Sequence, residues 1–176
     1  MKVGIFCSSR ENIAEEYFER TAELGRWLAK NGHSIVFGGS DQGLMECVAK
    51  AARQAGGRTI GVVPRILEQR ARVSDNVDVL IPCDDLSDRK ALIMAQSDVF
   101  IALPGGVGTL DELFSVVAMR QIGYHTKEIL CYDINGFWQP LATMLDQLST
   151  TGVLRPRWRD TIHFVKNIDE MGDFIR

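Results

Sequence analysis

Short apolar runs alternate with segments of helical periodicity along the whole chain, and this alternation narrows the fold more than any other feature. Residues 2–7, 34–37, 59–63, 77–81, 99–103, 128–132 and 162–165 read as strands. Between the first two, Ile13, Tyr17, Thr21, Leu24 and Leu28 recur at helical spacing until Asn31-Gly32 stops the helix. Helices are also expected over residues 44–55, 86–96 and 138–148, from about Thr109 to Ile122, and from Ile168 onward. Strands this uniformly apolar belong to a parallel sheet covered on both faces, with right-handed crossovers. The expected fold class is therefore α/β: a Rossmann-like doubly wound parallel sheet in three αβα layers, with residues 1–176 forming a single domain. A chain of 176 residues, 45% hydrophobic and 24% charged, can bury the core that this requires.

Charge and composition exclude several function classes. A net charge of −3 and a pI near 5.6 argue against a nucleic-acid or anionic-membrane surface, which leaves a small molecule as the expected partner. The chain enters a strand at Lys2-Val3-Gly4-Ile5-Phe6, with no leader pattern and no run long enough for a bilayer, so a cytoplasmic location is expected. Cys7, Cys47, Cys83 and Cys131 are far apart and lack zinc spacing, and read as buried reduced thiols. His33, His125 and His163 form no cluster and read as surface or capping residues, so no metal is expected.

In doubly wound sheets ligands bind beyond the carboxyl ends of the strands. Three loops there are rich in glycine or small polar residues: Ser8-Ser9, residues 38–43 with Gly39 and Ser40, and residues 105–109. The third is the most informative, running Pro104-Gly105-Gly106-Val107-Gly108-Thr109-Leu110-Asp111-Glu112 from an apolar strand into a helix. Glycines let backbone N–H groups approach an anion, and the helix start adds its unsatisfied donors and positive dipole end, which suits a phosphate. Thr109-Leu110-Asp111-Glu112 also matches a capping box, in which Glu112 does no more than close the helix start. Both readings stand at this level.

Arg89 and Lys90 form a second constellation, in the opening turns of a helix where cations are disfavoured. They could pair locally with Asp84, Asp85 and Asp88. Alternatively, Arg89 reaches into the crevice towards Glu112 or a substrate oxygen. Two nucleotide motifs are absent. Residues 38–43 have P-loop glycine spacing but are followed by Leu44-Met45 in place of Lys and Ser or Thr, and Cys7-Ser8-Ser9-Arg10 lacks the dinucleotide glycines. Residues 65–76 read as either a flap over the crevice or a solvated loop.

Pro104-Gly105-Gly106-x-Gly108-Thr109-x-x-Glu112 with Arg89-Lys90 upstream resembles the LOG ("lonely guy") family of cytokinin riboside 5'-monophosphate phosphoribohydrolases, often labelled "possible lysine decarboxylase". The likeness extends to Phe6-Cys7-Ser8-Ser9, Gly38-Gly39-Ser40, Gly43-Leu44-Met45, Gly61-Val62-Val63-Pro64, Gln121-Ile122-Gly123-Tyr124-His125 and Asn135-Gly136-Phe137. It implies a dimeric Rossmann-like enzyme that hydrolyses the N-glycosidic bond of AMP or N6-modified AMP. It also implies catalytic roles for Arg89 and Glu112 and a phosphate held by the glycine loop. The candidate substrate- and phosphate-binding residues are Ser8, Gly39, Ser40, Lys90, Gly105, Gly106, Val107, Gly108, Thr109 and Asp111, with Lys90 a secondary phosphate or structural contact.

The chain departs from the family at Val107, Val117, Met119, Ile66 and Glu46, positions that the resemblance puts near the base pocket or its entrance. In the implied mechanism Glu112 stabilises the oxocarbenium-like ribose or orients water, while Arg89 keeps Glu112 ionised. No cofactor is required, and no lysine is marked for the Schiff base of a pyridoxal-phosphate decarboxylase. The alternative from another class is a non-catalytic carrier of a nucleotide or of molybdenum cofactor. Finally, Leu110, Leu113, Phe114, Val116, Val117, Ala118 and Met119 cover nearly all of one helix, so a homodimer through residues 110–119 is expected, unless the segment from Trp158 onward covers that face.

Overall fold

A computed structural model describes residues 1–70 and 72–175. Seven strands form one sheet: β1 (Lys2–Phe6), β2 (Ser34–Phe37), β3 (Thr59–Pro64), β4 (Val79–Cys83), β5 (Val99–Ala102), β6 (Ile129–Tyr132) and β7 (His163–Val165). All neighbours pair in parallel, in the order β4-β3-β2-β1-β5-β6-β7. The chain builds outward from β1 to β4, returns to the middle, and builds the other way from β5. The topological switch point is therefore between β1 and β5, where a doubly wound sheet opens a crevice.

Side-chain alternation assigns the two faces. Val3, Ile5, Ile35, Phe37 and Ile101 pack against helices α1 (Glu15–Lys30) and α2 (Gly43–Gln54), with Met171 of the terminal helix α7 (Ile168–Gly172). Phe6, Val36, Val62, Phe100 and Ala102 pack on the opposite face against α4 (Leu86–Gln96), α5 (Val107–Gln121) and α6 (Gln139–Thr150). This is the three-layer arrangement expected. At the α1–α2 crossing, Gly25 lets the helix backbones approach.

Three elements differ from expectation. Residues 65–76 are not irregular throughout, because Arg65–Gln69 forms a short helix, α3, that buries no side chain and so leaves no apolar periodicity to read. Strand β4 begins and ends two residues later than its apolar run, since pairing with β3 carries it through Pro82 to Cys83 at the sheet edge. Helix α5 starts at Val107 rather than Thr109, because Gly106 takes the N-cap position. His33, expected at the surface or in a capping role, is buried against the N-terminal amino group, which lies 3.1 Å from its Nδ1. Cys7, Cys83 and Cys131 are buried, Cys47 is half-buried, and all four thiols are free.

A Cβ at Gly25 would lie 2.7 Å from the Val48 carbonyl oxygen, a backbone atom that cannot move without separating the helices. Gly25→Ala is expected to lower stability by about 1–3 kcal/mol, outweighing its gain in helix propensity. Urea unfolding measures this, and an unchanged midpoint would contradict the packing described.

Candidate active site

The loops after β1 and β5 are sewn together at the switch point. The Leu103 N–H donates to Phe6 O at 2.9 Å and the Ser8 N–H to Pro104 O at 3.1 Å, while Ser8 O accepts from the Leu44 N–H that opens α2. Between them lies a crevice of about 550 Å³, within the range of small-molecule sites. Ser8, Ser9 and Arg10 line one wall, Gly106, Val107, Gly108 and Thr109 another, with Cys7, Met45, Arg89 and Glu112 completing it.

The glycine loop builds its wall from backbone. With Gly106 as N-cap, the first helical bond is Leu110 N–H to Gly106 O, at 3.0 Å, so the N–H groups of Val107, Gly108 and Thr109 have no partner within the helix. Three donors and the dipole end thus face the crevice. Gly105 does not line it; its lack of a side chain admits Thr109, whose hydroxyl a Cβ there would overlap. Thr109 lies inside the first turn and makes no capping bond, and the helix start has no side-chain cap. This overturns the capping-box reading: Glu112 lies further along the helix, 8% exposed, with its side chain in the crevice.

Arg89 and Lys90 diverge, as adjacent helical residues must. Arg89 lies against Gly38, where a Cβ would overlap the guanidinium, and lines the crevice with Glu112. Its Nε is buried without a hydrogen-bond partner. Lys90 turns outward, and its Nζ bonds both carboxylate oxygens of Asp111 at 2.8 Å. Lys90 and Asp111 are consequently not crevice residues; each satisfies the other, clasping α4 to α5. Gly39 and Ser40 stand in the neighbouring loop, where Ser40 lines an adjoining hollow with Ser9, Met45 and Arg89. Of the five departures from the family pattern only Val107 lines the crevice; Val117 faces a separate apolar groove with Phe114, Leu145 and Trp158.

Residues 65–76, apart from residue 71, dock onto the β2 loop. Ser74 N–H donates to Gly39 O at 2.9 Å, Asp41 N–H to Arg72 O at 3.2 Å, and Ser40 bridges Val73. Sequence reasoning missed Arg70 and Arg72, which this docking brings to the site, and Arg10, which the β1 loop holds there. Arg10 is far in sequence from Arg70 and Arg72, so the only available signal was basic residues in loops at the carboxyl end of the sheet.

Electrostatically, Glu112 dominates. Burial pushes its carboxyl up to about 7; Arg89 pulls the other way without prevailing, Asp111 raises it and Lys90 lowers it. Arg89 therefore does not hold Glu112 fully ionised as expected, because desolvation outweighs a cation that makes no direct ion pair with it. Burial, aided by Glu112, also raises the Cys7 thiol well above its ordinary value, which removes it as a nucleophile. Among the described residues no group of His, Cys, Asp and Glu could hold a metal ion, and no helix is long and apolar enough to cross a membrane. The described residues that line the crevice include no lysine.

Folded Glu112 keeps its proton to about pH 7, while an unfolded glutamate loses it near 4.5. Across that window the native state binds more protons, so rising pH removes stability. Glu112→Gln should match the parent near about pH 4 and exceed it by up to about 3 kcal/mol near about pH 8. Denaturant titrations at both pH values test this; equal stability in alkaline buffer would refute the burial argument.

A family model described as "Possible lysine decarboxylase" matches residues 45–174. The chain is 38% identical over 168 residues to a cytokinin riboside 5'-monophosphate phosphoribohydrolase of Mycobacterium tuberculosis, covering 96% of this chain and 89% of that protein. It is 37% identical over 161 residues to a probable cytokinin riboside 5'-monophosphate phosphoribohydrolase of Oryza sativa subsp. japonica, covering 92% of this chain and 66% of that one. The solved molybdenum cofactor carrier protein of Chlamydomonas reinhardtii shares the fold, with a TM-score of 0.74 at 24% identity over 97% of this chain and 92% of that chain.

Proposed function

The chain belongs to the LOG family of cytokinin riboside 5'-monophosphate phosphoribohydrolases, and from that premise we propose that it hydrolyses the N-glycosidic bond of AMP or an N6-modified AMP, giving free base and ribose 5-phosphate. The family's activity is that of a hydrolytic N-glycosidase; the substrate and the residue roles are our reading. The observation that carries it is a carboxyl group 8% exposed in the same crevice as three free helix N–H donors and a guanidinium. A carrier needing only to grip an anion gains nothing from a buried carboxyl beside it.

The N–H groups of Val107, Gly108 and Thr109 grip the 5'-phosphate, which turns its binding energy into positioning of the ribose. Arg89 holds ribose or phosphate oxygens. As the C1'–N bond breaks, its electron pair leaves with the base and positive charge grows on the ribose, where ionised Glu112 stabilises it. Water adds at C1', Glu112 accepts the proton this releases, and the departing base takes up one proton at the nitrogen that held C1', so that no net proton is consumed. A carboxyl tuned to about 7 suits a base working near neutrality.

Glu112→Gln is expected to lower kcat by about 100-fold or more with little change in KM for AMP. In the parent enzyme kcat/KM should rise with pH through an apparent pKa near 7, as the carboxylate of the free enzyme forms. A product assay for free adenine measures both. A variant that retains the parental rate removes Glu112 from the chemistry, and tight AMP binding without base release supports the carrier.

The homodimer through α5 is also proposed. Trp158 and Ile162 pack with Leu113, Val116 and Val117, so the C-terminal segment covers part of the helix. Ala118 nevertheless remains exposed, next to half-buried Phe114 and Met119 and close in sequence to exposed Ile122 and Tyr124. Sedimentation should show a dimer that Ala118→Arg converts to monomer; a monomeric parent would refute this interface.

A further inference from the structure

Two further hollows adjoin the crevice, and all three meet at Ser9. One, of about 590 Å³, is lined by Arg10, Gln42 and Arg72, with Glu11 its one carboxylate. The other, of about 250 Å³, is lined by Met45, Leu67, Arg70, Arg72 and Arg89. Neither includes the glycine loop or Glu112. With the phosphate assigned to that loop and C1' to Glu112, the part of the crevice around Ser9, which both hollows share, is left for the base.

Three arginines outside the catalytic set, Arg10, Arg70 and Arg72, therefore line these two hollows in a chain of net charge −3, with Arg89 shared between the crevice and the smaller one. Arg20, Arg53, Arg65, Arg120, Arg157 and Arg159 have carboxylate partners; Arg10, Arg70, Arg72 and Arg89 make no ion pair among the described residues, nor do Arg26, Arg58 and Arg155, but only the former four line these spaces. Their backbones are held in place. Arg10 N–H donates to Ser8 Oγ at 3.0 Å, Arg72 N–H to Leu67 O at 3.0 Å, and the bridge between Ser40 and Val73 docks the segment that carries Arg72. Met45 and Leu67 are the only apolar side chains among the described residues that line the smaller hollow, so most of its lining residues are polar or charged.

We infer that the leaving base carries a carboxylate received by Arg10, Arg70 and Arg72, so that the preferred substrate is a nucleoside 5'-monophosphate with an anionic base. Guanidinium forks suit this group, and a site built to pair it discriminates against analogues that lack it. The inference rests on the phosphoribohydrolase reading. The carboxylate could sit on the ring or on an N6 substituent, and the choice of probes separates the two.

The test compares kcat/KM for AMP, N6-isopentenyl-AMP, N6-succinyl-AMP and orotidine 5'-monophosphate, in the parent and in Arg70→Ala/Arg72→Ala. A carboxylated compound is expected to exceed AMP by about tenfold, a modest factor because the guanidiniums are exposed to solvent, and the double variant should bring that ratio close to unity. Preference for AMP or its isopentenyl derivative, or a ratio unchanged in the variant, overturns the inference while leaving hydrolysis intact. If no compound releases its base, the phosphoribohydrolase reading has failed instead. Calorimetric affinities of Glu112→Gln for AMP and N6-succinyl-AMP then decide the subsite: tighter binding of the succinyl compound that disappears on removing Arg70 and Arg72 supports it, and equal affinities reject it.

Discussion

The desolvation of one carboxyl group governs the site. Glu112 is carried on the inward side of α5, and the carboxyl ends of the central strands, the β1 loop and the first turn of its own helix shield it from water. Arg89 shares the crevice without forming a direct ion pair, so attraction offsets only part of the burial cost. A tighter pair would fix the carboxylate as a spectator ion. The looser arrangement leaves a group that changes charge near neutrality, at some expense to the stability of the ionised fold.

Topology brings these groups together. The switch between β1 and β5 splays the helices that follow them, and the backbone bonds from Ser8 to Pro104 and from Leu103 to Phe6 keep the two loops in register. Gly38 and Gly105 admit Arg89 and Thr109 respectively, so the glycines shape the site as much by what they accommodate as by how they turn. Lys90 and Asp111 lock α4 to α5 from outside, fixing the helices that carry Arg89 and Glu112.

Much of this was legible in the residues. Uniformly apolar strands announced a parallel sheet, and Val99 to Ala102 leading into glycines marked the site, because period and turn chemistry are local properties. The ambiguities were those that only three-dimensional contact resolves. Thr109 and Glu112 fit a capping box by spacing, yet the cap moved to Gly106, because a glycine there lets the helix begin two residues early. Lys90 and Asp111, both expected at the substrate, meet each other from helices distant in sequence. The short helix α3 buries nothing and left no pattern, and Arg10, Arg70 and Arg72 converge only through the docking of the segment beyond it.

Strand β4 ends one side of the sheet, and Pro82 deprives it of one amide donor just ahead of the charged Asp84 and Asp85. An outer strand so interrupted is a poor template for recruiting another chain's backbone, which guards against runaway strand addition and fibril growth. Self-association is thereby steered away from main-chain zippering and towards side-chain contacts on the helical layers, where geometry can limit the number of copies.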